Sequence, residues 1–149
     1  MEVLAIKKLN KNLPTPNYAT PGSVGLDVYV STTKKISPHS WELIPLGIIA
    51  KPPKGTFIAV LPRSSTFRKT GLLLANSMGV VDPDYCGDKD VIMTLVYNTT
   101  NHEVTVKEGD RFFQLLVLPV LTPEVVEVEG SLQEYSRGGH GSTDIKEEL

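Results

Sequence analysis

The chain has 149 residues, 40% of them hydrophobic, with 15 Lys and Arg against 17 Asp and Glu for a net charge of −2. That length fits one domain with its own core, and the near-balance of charge gives no global argument for nucleic-acid or membrane-surface binding. The single cysteine, Cys86, excludes an intrachain disulfide framework; no apolar run approaches membrane-spanning length; and the opening MEVLAIKKLN is too short in its apolar part for a secretory signal, so a cytoplasmic or other reducing intracellular compartment is expected.

Residues 1–13 alternate weakly (Val3, Leu4, Ile6, Leu9) and suit a first strand, and the three prolines between Asn12 and Pro21 make a loop. In PGSVGLDVYV a glycine turn leads into Asp27 at the start of a strand through Val30. A buried acid there either bonds backbone amides or holds a hydrated cation, because hard divalent ions seek carboxylates and keep their waters. Short β-branched or aromatic segments follow at Trp41–Ile49, Thr56–Leu61, Val91–Tyr97, Val104–Val106, Phe112–Leu118 and Val125–Val128, separated by Pro, Gly, Asn and Lys. This spacing is the signature of an all-β barrel or sandwich.

One stretch reads as helix, Ser64 to Thr70, with Ser64 as N-cap and Gly71 as its stop. PRSS then places Arg63, Ser64 and Ser65 at a helix N-terminus, where free N–H groups and the dipole favour an anion. Arginine is scarce: of the four, Arg63, Arg111 and Arg137 lie in or beside Gly-, Pro- or Ser-rich segments, which suits either bidentate anion contacts or loop bracing.

The stretch GLLLANSMGVVDPDYCGD reads as two apolar runs broken by Asn76 and Gly79, a β-hairpin made cheap by residues that tolerate positive φ, followed by a tight Asp-Pro-Asp-Tyr turn. It holds an acid, Asp82, an aromatic, Tyr85, and an amide, Asn76, on stiff backbone. In GDRFFQLLV, Gln114 interrupts an apolar strand and must find either a backbone or a ligand partner. The end, YSRGGHGSTDIKEEL, is too rich in glycine to pack a core, and is either plain disorder or a lid.

Five of these segments, PGSVGLDVYV, PRSS, GVVDPDYCGD, GDRFFQLLV and GGHGSTD, resemble in order and spacing the five motifs of the trimeric deoxyuridine triphosphate nucleotidohydrolases, the dUTPases. The likeness runs from about Pro21 to Asp144, without an obvious gap from Pro62 to Asp88. It implies an all-β jelly roll, or distorted antiparallel barrel, over residues 1–130, with one short helix and a mobile C-terminal lid at 131–149. It also implies a homotrimer with three shared active sites. Each site takes the first, second and fourth motifs from one subunit, the third from another and the tail from the last.

The implied reaction is Mg²⁺-assisted hydrolysis of dUTP to dUMP and pyrophosphate. Asp82 would deprotonate the attacking water, and Tyr85 would pack on the deoxyribose. Asn76, with the Gly79 and Val80 backbone, would read the uracil edge. Arg63, Ser64, Ser65 and Gln114 would contact phosphates, and Asp27 would hold the metal through water. Arg137, Gly139, His140, Gly141, Ser142 and Thr143 would close over the triphosphate. The tail departs from the family pattern: His140 stands where a Phe is usual, and Tyr135 and Ser136 stand where Arg-Gly is usual. The similar dCTP deaminases keep a catalytic glutamate in a strand that here reads Thr94, Leu95, Val96, Tyr97, Asn98, with no acid.

Overall fold

The computed structural model describes residues 2–139. Twelve strands and one helix follow in order: β1 Ala5–Lys8, β2 Asn17–Tyr18, β3 Leu26–Val28, β4 Lys34–Ile36, β5 Trp41–Pro45, β6 Ile48–Lys51, β7 Thr56–Pro62, α1 Thr66–Thr70, β8 Leu72–Leu74, β9 Gly79–Val81, β10 Met93–Asn98, β11 Val104–Val106 and β12 Phe113–Pro119. The described pairings are all antiparallel. They build a five-stranded sheet, β2-β3-β12-β7-β9, a three-stranded sheet, β5-β10-β8, and two ribbons, β1-β6 and β11-β4. This is a jelly roll of separate sheets rather than one closed barrel.

The core follows from strand alternation. Val28, Ile44, Ile58, Val60, Val96, Phe113 and Leu115 point inward from both large sheets and are at most 1% exposed. Asn98 is also fully buried, and its side chain is completely bonded. Nδ2 donates to the carbonyls of Ile36, Ser37 and His102, and Oδ1 accepts from the N–H and hydroxyl of Thr100. It knots the turn after β10.

Four expectations change on contact with the structure. Helix α1 starts at Thr66, because residues 63–66 form a turn in which the Thr66 N–H donates to the Arg63 carbonyl, 3.0 Å. Ser65, not Ser64, is the N-cap, and it makes no side-chain capping bond. Gly71 does end the helix, at φ +70. Trp41–Ile49 is two strands, split at Gly47, whose φ is +62.

The third change concerns the hairpin. β8 and β9 are joined by a short turn but do not pair with each other: β8 lies on β10 and β9 on β7. The positive φ falls on Ser77, +63, and not on Asn76 or Gly79. Gly79 is needed for a different reason. A Cβ there would sit 3.0 Å from the Val60 Cβ, so the missing side chain lets β9 close onto β7.

The fourth change is at Val125–Val128, which forms no strand. Val125 is 94% exposed and Val128 55%. An alternating run becomes a strand only beside a partner edge, and no described strand pairs with it. The described chain carries no helix or strand after Pro119. Two short elements that the sequence did not signal, β2 and β4, pair with β3 and β11.

Candidate active site

The candidate residues form two groups. The first lies at one end of the five-stranded sheet, where Asp27 of β3, Gln114 of β12 and Leu61 of β7 stand in register. Asp27 is 5% exposed, in the middle of β3 rather than at its start. The Arg63 Nε lies 3.1 Å from its Oδ1, and the Arg111 Nη1 3.5 Å from its Oδ2. Arg63 also donates from Nη1 to the Arg111 carbonyl, 3.1 Å. One carboxylate thus faces two guanidiniums, and the cluster is left one positive charge in excess. Both arginines reach water, with side chains 34% and 49% exposed, so donors remain for an anion.

Gln114 donates from Nε2 to the Pro62 carbonyl, 3.0 Å, which fixes its amide beside Arg63. Gly25 makes the space. A Cβ on Gly25 would fall 1.9 Å from the Gln114 Oε1, so any larger residue there drives the amide from its place. Ser64 is exposed and Ser65 half-buried on the turn beside Arg63.

The second group lines a cleft of about 360 Å³ formed by Leu43, Val60, Asn76, Gly79, Val80, Val81, Asp82, Tyr85, Val91, Ile92 and Met93. Five residues singled out from the sequence, Asn76, Gly79, Val80, Asp82 and Tyr85, meet there. The expected turn is present: the Tyr85 N–H donates to the Asp82 carbonyl, 3.1 Å. The Tyr85 hydroxyl donates to the Val91 carbonyl, 3.2 Å, which pins the ring as one wall of the cleft. The Gly87 N–H donates to the Asp90 carboxylate, 2.7 Å, and bends the chain back under it. Asp82 itself is exposed at the rim. Next to this loop the Lys7 ammonium bonds Asp88 and holds its carboxyl below the usual range, in an ion pair fully open to water.

A larger cleft, about 1050 Å³, lies elsewhere, beside β1, β2 and the ends of β7 and β12. Its only charged lining side chains are Glu2 and Lys54, so it offers none of the site's chemistry. Arg137 and Gly139 are exposed in the stretch beyond β12. His140, Gly141, Ser142 and Thr143 lie outside the described residues. By sequence Arg111 is only a scarce loop arginine, and the structure gives it a partner in Asp27. Thr66 and Gly25 were missed, because a buried hydroxyl and a space-making glycine have no signature in sequence.

The family model for dUTPase matches residues 11–144. The chain belongs to the dUTPase family. The deoxyuridine 5'-triphosphate nucleotidohydrolase of Hydrogenobaculum sp. is 38% identical over 145 residues, 96% of this chain and 99% of that protein. That of Aquifex aeolicus is 43% identical over 127 residues, 83% of each. Among solved structures, the dUTPase from Streptococcus mutans superposes with a TM-score of 0.73 at 29% identity, covering 80% of this chain and 98% of that one. The Staphylococcus bacteriophage 80alpha dUTPase with dUPNHPP reaches 0.81 at 23% identity over 96% and 99%, a likeness of fold. The chain is a dUTP diphosphatase, an enzyme that hydrolyses dUTP to dUMP.

Proposed function

We propose that the two groups are halves of one dUTP site completed between subunits of a homotrimer. The observation that carries this reading is their separation by motif. Asp27, Arg63 and Gln114, from the first, second and fourth motifs, are braced together on β3, β7 and β12. Asn76, Asp82 and Tyr85 of the third motif line a cleft of their own.

The surface supports the same reading. The outer face of the β5-β10-β8 sheet carries Trp41, Leu43, Leu73, Met93, Leu95 and Tyr97. Trp41 is 65% exposed and Leu73 46%. A continuous apolar face of this kind marks an interface. Leu43 and Met93 belong to both the face and the cleft, so a second copy seated there borders the nucleotide.

In the proposed mechanism the cleft takes the nucleoside. Asn76 and the backbone at Gly79 and Val80 pair with the uracil edge. Cytosine leaves those groups unpaired and is rejected on that account. The fixed ring of Tyr85 lies against the deoxyribose and leaves no room for a 2′-hydroxyl. Arg63, Gln114, Ser64 and Ser65 of the neighbouring subunit hold the phosphates. Asp82 takes a proton from a water whose oxygen bonds to the α-phosphorus, and the bond to the bridging oxygen of the β-phosphate breaks to release pyrophosphate. Residues 131–149, including Arg137, Gly139, His140, Gly141, Ser142 and Thr143, act as the lid.

Mg²⁺ fits this arrangement only through water. Among the described residues there is no group of three or more His, Cys, Asp or Glu side chains that could hold a metal. The Asp27 Oδ2, however, faces Arg111 at 3.5 Å without a hydrogen bond, is buried, and can accept from an ion's water. The phage phi11 dUTPase structure coordinates a structural Mg(II) ion. When bound, Mg²⁺ would neutralise charge on the triphosphate. No described helix is long and apolar enough to cross a membrane. The free thiol of Cys86 suits a reducing intracellular compartment.

The test is pyrophosphate release from dUTP, run beside UTP, dCTP and dTTP, with Mg²⁺ and with chelator. Turnover of dUTP alone, lost with chelator, is expected. Comparable turnover of UTP would contradict the role given to Tyr85, and full activity in chelator the role given to Mg²⁺.

A further inference from the structure

Thr66 carries a hydroxyl that the proposed reaction does not use. The residue opens α1 and is 1% exposed. Thr66 lies one residue past the N-cap, Ser65, so its hydroxyl is not taken up in capping the helix. It bonds backward and sideways. Its Oγ1 accepts from the Arg63 N–H, 3.1 Å, and donates to the Phe112 carbonyl, 2.5 Å. The Arg63 N–H also reaches the Phe112 carbonyl, 2.9 Å. Three groups therefore close a ring that ties the chain leaving β7 to the chain entering β12.

The charged groups of the phosphate half hang from this ring. Arg63 is one of its members. On the other side Arg111 immediately precedes Phe112, and Gln114 follows two residues later. The side chain of Arg63 then bridges the same two segments, with Nη1 on the Arg111 carbonyl and Nε beside Asp27. A long flexible arginine loses rotamer freedom when it grips a phosphate, and anchoring its backbone beforehand reduces that cost. The hydroxyl of Thr66 is the one side-chain group within this ring, and it makes two of its bonds.

We infer that Thr66 is a positioning residue for the reaction, acting through Arg63: its hydroxyl sets the direction from which the guanidinium meets the substrate's phosphates. The inference rests on the reading of Arg63 as a phosphate ligand, and the experiment separates the two. Steady-state kinetics on dUTP are measured for Arg63→Ala, Thr66→Val, Thr66→Ser and the double variant Arg63→Ala/Thr66→Val, with thermal melting of each. Thr66→Val keeps the shape and removes both bonds, whereas Thr66→Ser keeps the hydroxyl.

A loss in kcat/KM of roughly 10–100-fold is expected for Thr66→Val, the range in which displaced supporting residues act. Thr66→Ser should stay close to the unsubstituted enzyme, and Thr66→Val should cost nothing further once Arg63 is Ala. If Arg63→Ala itself has no effect, the phosphate reading fails. If Arg63→Ala is severe but Thr66→Val is not, the positioning role fails. Additive losses, or a Thr66→Val chain that does not fold while Thr66→Ser is active, assign the hydroxyl to folding and also overturn it.

Discussion

An Asp82→Asn enzyme is expected to bind dUTP and scarcely turn it over. Asn matches the carboxylate in shape and keeps the turn, because the bond that closes the turn uses the backbone carbonyl of residue 82 and not its side chain. The side chain is exposed at the cleft rim, so the substitution carries little folding cost. What it removes is the proton acceptor. General-base catalysis contributes about 10²–10⁴-fold, so kcat should fall by that factor with KM little changed. Single-turnover pyrophosphate release, with dUTP binding followed by calorimetry, reads both quantities. A kcat near that of the unsubstituted enzyme would give the proton to another group.

Placing a charge on the apolar face of the β5-β10-β8 sheet is expected to do as much damage without touching a ligand. Leu95 stands at the centre of that face, paired across the strands with Leu43. In a lone chain a Glu at position 95 keeps its carboxylate in water and the strand stays intact. In an assembly it is buried without a partner, at a cost of several kcal/mol. Each 1.4 kcal/mol is tenfold in affinity, so Leu95→Glu should shift assembly by more than about a hundredfold. The expected outcome is a folded monomer by light scattering and circular dichroism, with dUTP turnover lost. A variant that stays active and assembled would place the proposed subunit contact on another face.

Much of this was legible in the sequence, for reasons that differ by residue. Val104–Val106 was read with its observed bounds because β-branched alternation between turns has few other solutions. The turn from Asp82 to Tyr85 is legible because Asp-Pro-Asp-Tyr encodes it, and the structure closes it with a bond from the Tyr85 N–H to the Asp82 carbonyl. Long-range partners were not legible. Nothing in PGSVGLDVYV shows that the Asp27 carboxylate meets two arginines from distant segments. The hairpin reading failed for the same reason: β8 and β9 are neighbours in sequence, but the closeness of Gly79 to Val60 decides where β9 pairs. Val125–Val128 had the pattern of a strand and no edge within the described chain to receive it.

The direct test of a shared site is complementation between two defective chains. Asp82→Asn and Arg63→Ala chains, carrying different tags, are co-expressed, and assemblies containing both are purified through the two tags in turn. Each variant alone should be nearly inactive. If Asp82 of one subunit works with Arg63 of another, the mixed assemblies contain sites with both residues intact, and dUTP hydrolysis returns to a substantial fraction of the unsubstituted rate. Mixed assemblies no more active than the separate variants would place both residues in a site within one chain and contradict the composite arrangement.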